Sequence, residues 1–167
     1  MVCMSSTATH TDQDFMRLAL KQASLAARLD EVPIGAVVVV DNEIIASAYN
    51  RRETDCDPTS HAELLAIRQA SQILRRWRLT GATVYATLEP CPMCAGLMHQ
   101  ARIDRCVYGA SDPKAGALGT LYDLHKDSRL NHQFTVTGGV LADESAALLK
   151  EFFARKRITQ HRCSEGK

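Results

Sequence analysis

Seven consecutive residues without a polar side chain, Ile34-Gly35-Ala36-Val37-Val38-Val39-Val40, lie between Pro33 and the dipeptide Asp41-Asn42. A β-branched run of this length suits a strand and is far too short to cross a bilayer. Val37 to Val40 are apolar at both parities, so both faces of that strand must be covered. It therefore belongs in the middle of a sheet, with other elements packed above and below. Glu43 to Asn50 reads as the next strand, and Asp41-Asn42 as the tight turn of a hairpin between them.

The rest of the chain alternates helical and strand patterns around this centre. Phe15 to Leu29 repeats apolar residues at helical spacing, with Asp12 as its expected cap. Arg51 to Thr59 is polar, contains Pro58, and reads as a loop. His61 to Arg75 returns to helical spacing through Leu64, Leu65, Ile67, Ala70 and Leu74. Ala82 to Leu88 is a third strand running directly into Glu89-Pro90-Cys91, and Cys91 to Ala101 a short helix. Arg105 to Gly109 and Phe134 to Thr137 supply two more strands. The Gly- and Pro-punctuated Ser111 to His132 between them is a loop of the length that tends to be functional. Ala142 to Arg157 closes the pattern as an amphipathic helix. Strands alternating with helices predict a layered α/β domain with partly parallel pairing. One domain over 14–158 is expected, flanked by a disordered tail over 1–13 and a flexible tail over 159–167.

Charge excludes one class of function. Among 167 residues, 20 Lys plus Arg stand against 19 Asp plus Glu, so no global field draws the chain to a polyanion. This argues against a non-specific nucleic-acid coat but not against an enzyme acting on RNA, and any RNA must be held by a local patch. No stretch has the apolar core of a secretory signal or the length of a membrane span, which predicts a cytoplasmic protein with no membrane partner. Six cysteines are too few for a disulfide scaffold in a chain of this size and read as thiols of a reducing compartment. Only Cys91 and Cys94 have ligand spacing. Cys3, Cys56, Cys106 and Cys163 read as small buried or exposed thiols, with Cys56 a reserve ligand because it lies near His61.

Two segments carry chemistry, His61-Ala62-Glu63 and Pro90-Cys91-Pro92-Met93-Cys94, each where a loop gives way to a helix. Cys91 and Cys94 are one helical turn apart, so both sulfurs can face one metal. A helix N-terminus favours thiolate over thiol, and Pro92 fits a first turn, where its missing donor is not needed. Two thiolates and an imidazole suit zinc, and three protein ligands leave the fourth tetrahedral position open, as in catalytic sites. In a regular helix, residues two apart diverge by about 200°. His61 and Glu63 can therefore serve one site only if His61 stands at the very start of its helix. Two helix N-termini converging on a metal are the expectation. Each half also has an ordinary reading. Ser60 to Glu63 fits a capping box, and a lone Cys-x-x-Cys fits a redox pair or half a structural zinc site. The joint occurrence favours catalytic zinc, one ion per subunit.

His-x-Glu with Pro-Cys-x-x-Cys is the signature of zinc nucleobase deaminases. Four longer segments extend the likeness: Glu31-Val32-Pro33-Ile34-Gly35-Ala36-Val37, Asp57-Pro58-Thr59-Ser60-His61-Ala62-Glu63, Thr87-Leu88-Glu89-Pro90-Cys91 and Gly138-Gly139-Val140-Leu141-Ala142. Over most of its length the chain resembles the bacterial tRNA-specific adenosine deaminases. That resemblance implies a three-layer α/β/α fold around a five-stranded mixed sheet, cytidine deaminase-like. It also implies a homodimer, a tRNA anticodon stem-loop as partner, and hydrolysis of the wobble adenosine to inosine, with Glu63 catalytic and zinc on His61, Cys91 and Cys94. By position it assigns Asn50 to the purine, Asp112 and Lys114 to neighbouring nucleotides, and Phe153, Lys156 and Arg157 to an RNA-facing aromatic-basic cluster. Without it, Asn50 is equally a turn residue, Phe153 a core contact and Arg155 to Arg157 a solvated helix end. Two segments depart from the family, Ala48-Tyr49-Asn50-Arg51-Arg52 and His125-Lys126-Asp127-Ser128. A guanine or cytosine deaminase with the same metal site, and a non-catalytic zinc-stabilised RNA-binding module, are the rival functions.

Overall fold

A computed structural model of the chain describes residues 10–164, with side chains as far as Thr159. Five strands form one sheet in the order β2-β1-β3-β4-β5: β1 is Gly35–Val40, β2 Glu43–Tyr49, β3 Ala82–Leu88, β4 Arg105–Ala110 and β5 Thr135–Thr137. β1 runs antiparallel to both β2 and β3, while β3, β4 and β5 are mutually parallel. The valine run lies second in the sheet and is buried along nearly its whole length, as its two-faced apolar pattern requires. Asp41 and Asn42 both take left-handed backbone, with φ of 50° and 64°, the conformation of a tight hairpin turn.

The parity of the strands sorts the core into two layers. Ala36 and Val38 pack on one side with Val84 and Cys106. They meet Ala62, Ala66, Ile67 and Ala70 of α3 (Ala62–Leu74) and Ala95 and Met98 of α4 (Pro92–Gln100). Val37, Val39, Tyr85 and Val107 point the other way, onto Phe15, Met16, Ala19 and Leu20 of α1 (Asp12–Arg28) and Leu148 of α5 (Ala142–Ser164). Burying a side chain such as Ile67 or Met98 contributes about 1.5–3 kcal/mol, so either face alone would leave a large apolar area in water. The α1 backbone passes so close over the start of β1 that a Cβ on Gly35 would strike the Ala19 carbonyl. The Gly35 N–H donates to the Thr87 hydroxyl at 3.1 Å.

Several boundaries differ from the expected ones. α1 starts at Asp12, inside the stretch expected as a tail, because Thr11 rather than Asp12 caps it, in a capping box with Asp14. Asp12 is then free to bind the Arg105 guanidinium at 2.7 and 2.9 Å and the Tyr85 hydroxyl at 2.9 Å. The expected loop 51–59 holds a one-turn helix, α2 (Arg52–Asp55), too short to show periodicity. α5 runs on to Ser164, beyond Arg157, into the stretch expected as a flexible tail. Residues 1–9 of the expected N-terminal tail, Cys3 among them, the side chain of Cys163, and residues 165–167 lie outside what is described.

Candidate active site and metal centre

β3 and β4 are parallel, with Leu88 opposite Ala110, so the chain leaves both strands at the same edge of the sheet. Ligand sites of α/β sheets form at such carboxyl-terminal edges. α3 and α4 both begin there. His61 is the N-cap of α3 and Cys91 the N-cap of α4, each in extended backbone. Cys94 sits in the first turn of α4, after Pro92. Standing outside its helix frees His61 from helical geometry and removes the conflict with Glu63, which belongs to the first turn of α3. No side-chain cap is present at that terminus, and the Ser60 hydroxyl binds Asp55 instead. The capping-box reading of Ser60 to Glu63 therefore falls.

The His61 Nδ1 atom lies 3.7 Å from the Cys91 sulfur and 3.6 Å from that of Cys94. All three donor atoms lie within 4.8 Å of one another. Tetrahedral zinc with ordinary bond lengths would separate its nitrogen and sulfur ligands by about 3.6 Å. The trio therefore fits such an ion as it stands. Neither Glu63 nor Cys56, which is exposed and bonded to the Glu53 carbonyl, is a member of this group. Among the described residues no fourth protein donor joins the cluster.

Electrostatics in the site follow from proximity and burial. A hydrogen bond from the Cys94 thiol, aided by another from His61, pulls the Cys91 thiol down to about 4. Cys94 is pushed up, chiefly because it gives that hydrogen bond, then by burial and by Glu63. The pair therefore holds one thiolate and one thiol at neutrality, and a divalent cation would displace the remaining proton. The hydrogen bond with Cys91 raises His61. Burial raises Glu63, whose carboxyl is 4% exposed. A carboxyl lifted toward neutrality is suited to taking up and returning a proton.

The remaining expected residues fall into two groups. Asn50 is 3% exposed, and its neighbour Arg51 donates its N–H to the carbonyl of Ser60, next to His61. Its amide Nδ2 donates to Glu31, a fully buried carboxylate whose other oxygen accepts the Thr54 N–H at 2.6 Å. An ordinary turn residue would not be held in this way. Asp112 and Lys114 lie in the loop after β4, but the Asp112 carboxylate is occupied by the N–H groups of Lys114 and Ala115. Phe153, Lys156 and Arg157 line one groove of about 640 Å³ between α5, the end of α1 and α2. Phe153 is exposed, so it is not a core contact; Phe152 takes that place. Lys156 is paired with Asp30. Sequence reasoning missed Glu31 and Glu89. Each is an ordinary acidic residue in sequence, and only the fold shows it buried among donors. The long apolar α3–α4 groove, with Trp77 exposed at its side, also went unread.

Comparison with known proteins agrees with this geometry. The family model of MafB19-like deaminases matches residues 10–157. A tRNA-specific adenosine deaminase of Bacillus subtilis is 49% identical over 146 residues, 87% of this chain and 91% of that one. A solved structure from work on A-to-I editing by tRNA:A34 deaminases at the wobble position superposes with a TM-score of 0.78 and 46% identity. That match covers 81% of this chain and 98% of the other. A guanine deaminase structure from Bacillus subtilis is more distant, with a TM-score of 0.61 and 36% identity over 66% of this chain and 71% of its own. Identity of this level along nearly the full length of both sequences, on the same five-stranded sheet, means that the chain belongs to the tRNA-specific adenosine deaminase family.

Proposed function

We propose that this chain hydrolyses the wobble adenosine of a tRNA anticodon to inosine and ammonia, with zinc held by His61, Cys91 and Cys94 and with Glu63 as the catalytic acid and base. The observation that carries the reading is the triad of donor atoms at zinc-like spacing beside a buried carboxyl that is not part of it. When bound, the zinc supplies a Lewis acid that makes water a competent nucleophile near neutral pH. Glu63 accepts a proton from the water that attacks C6 and delivers it to N1 of the ring; the amino group then takes the remaining proton of the new C6 hydroxyl and leaves as ammonia as the C6–N bond breaks and the carbonyl forms. Asn50, held by Glu31, orients the purine. The target base must be unstacked to enter, and an anticodon loop makes that inexpensive.

Binding energy comes from the nucleotides around the target, through Asp112 and Lys114 on one side and Phe153, Lys156 and Arg157 on the other. Phe153 is poised to stack on a base and the two cations to meet phosphates. The work is done by one domain that takes in α1 through α5, as a homodimer in the cytoplasm. The apolar groove lined by Leu64, Ile67, Trp77 and Leu97 supports pairing of two copies. No helix among the described residues is long and apolar enough to cross a membrane.

One assay tests the reading. Zinc-loaded protein is given transcribed tRNA, guanine and cytosine separately, and inosine, xanthine and uracil are measured. Inosine confined to the anticodon supports the proposal. Xanthine or uracil from free bases would replace it with a nucleobase deaminase, and no product from zinc-loaded protein would leave only a binding module.

A further inference from the structure

Glu89 stands immediately before Pro90 and Cys91, is 2% exposed, and takes no part in the proton transfers assigned to Glu63. Its carboxylate accepts four hydrogen bonds, all from the loop after β4. Oε1 takes the backbone N–H groups of Leu118 at 3.0 Å and Thr120 at 3.1 Å; Oε2 takes the N–H of Asp112 at 3.1 Å and the Thr120 hydroxyl. Further pairing comes from the main chain: the Glu89 N–H donates to the Ala110 carbonyl at 2.8 Å, and the Ala117 N–H to the Pro90 carbonyl at 2.9 Å. Gly116 rests against the carboxylate so closely that a Cβ there would strike it. No ion pair reaches Glu89 among the described residues, so the loop itself provides its compensation.

We infer that Glu89 is a positioning residue, the template on which segment 112–120 folds and by which Asp112 and Lys114 are held next to the segment that leads into Cys91. Ala117 and Leu118 of this loop are buried in the core, but Asp112 to Ala115 and Gly119 to Thr120 lie at or near the surface and would otherwise sample many conformations. Four donors converging on one buried carboxylate give it a single arrangement, because leaving any of them unmet is costly. The same residue is joined through Pro90 to a metal-ligand position, so the metal segment and the loop share one anchor. The loop's contribution to RNA binding rests on the tRNA reading above; its ordering by Glu89 does not.

Glu89→Gln tests this in the zinc-loaded full chain. Glutamine has one acceptor oxygen, and turned to keep Leu118 and Thr120 it sets its NH₂ against the Asp112 N–H. Thr120→Val, on the exposed side of the loop, removes only the hydroxyl bond and keeps the test open should the first variant fold poorly. Hydrogen exchange is expected to speed about tenfold across 112–120 in Glu89→Gln, and less in Thr120→Val, with α3 and α4 unchanged. Zinc should stay at one per chain, while KM for an anticodon stem-loop rises about tenfold and kcat changes less than about threefold. Wild-type exchange in both variants, or faster exchange with an unchanged KM, overturns the inference. So does loss of zinc together with kcat, which would mean that Glu89 acts through Cys91. A wild-type protein inactive on any tRNA would defeat the tRNA reading instead, leaving the exchange result to decide the template role.

Discussion

Replacing Glu63 by glutamine should separate chemistry from metal binding and from stability. The side chain keeps its size but can no longer take a proton from water or deliver one to N1. General acid–base catalysis of a positioned proton transfer is worth about 10²–10⁴-fold. Glu63 is assigned both transfers of one turnover, so kcat should fall about 10³-fold or more, which is at least ~4 kcal/mol on the barrier. Zinc content should not change, because Glu63 is outside the trio of close donor atoms.

Stability of the metal-free protein should move in the opposite direction. Burial raises the folded-state Glu63 carboxyl above its ordinary value of 4.5. The native state then holds that proton more tightly than the unfolded chain does. Its contribution is fully present below about pH 4.5 and is lost as pH rises through the raised value. Glutamine does not titrate. The metal-free variant should therefore melt higher than wild type at pH 8, with the difference closing toward pH 4. Single-turnover inosine formation, elemental zinc analysis and melting at the two pH values check the three parts. A variant that retains more than about a tenth of wild-type kcat would remove Glu63 from the proton path.

Zinc removal by a chelator should lower Tm by about 8–16 °C if free zinc had stood roughly a thousandfold above Kd, since that saturation is worth about 4 kcal/mol. Cys94→Ser should show the lower Tm without chelator, and scanning calorimetry with elemental analysis reads both. Glu31→Gln turns an amide donor toward either Asn50 or Thr54. It should cost about 1–3 kcal/mol of stability and raise KM on a stem-loop by loosening Asn50, as denaturant melts and steady-state kinetics would show. The Arg105 guanidinium holds Asp12 below the usual carboxylate range, so its contribution is present above about pH 3.8 and is lost as pH falls through the depressed value. Asp12→Asn should therefore cost about 1 kcal/mol at pH 7, reduced by partial exposure of the pair, and progressively less as pH falls below 3.8, by acid titration of Tm.

What could be read from sequence was whatever depends on local pattern. The boundaries of β3 at Ala82 and Leu88, the Asp41-Asn42 turn and the central place of the valine run each follow from periodicity or turn chemistry over a few residues. The metal trio was legible because Cys91 and Cys94 are one helical turn apart and because His61 had to start its helix for its spacing to Glu63 to make geometric sense, and it is the N-cap of α3. α2 was missed because four residues cannot display a period. The last turns of α5 were missed because Thr159, Gln160, His161 and Arg162 continue no apolar stripe after Ile158. Glu31 and Glu89 were invisible for a deeper reason: their burial is set by chain segments 19 to 31 residues distant.

Those two carboxylates also explain why the catalytic one behaves as it does. Glu31, Glu63 and Glu89 are all buried, at 0%, 4% and 2% exposed, and burial pushes both Glu63 and Glu89 upward. They differ in their donors. Glu89 receives four hydrogen bonds, which outweigh its burial and hold it below the ordinary range, fixing it as an anion that organises a loop. Glu31 receives two, one of which sets the amide of Asn50. Glu63 has only its own N–H, the nearby His61 and the Cys94 thiol to set against burial, and the Cys91 sulfur beside it disfavours a further negative charge, so it is raised. A saturated carboxylate cannot shuttle protons and an undersupplied one cannot anchor a loop. Adding a donor near Glu63 should therefore slow catalysis even with the carboxylate and the metal ligands all in place.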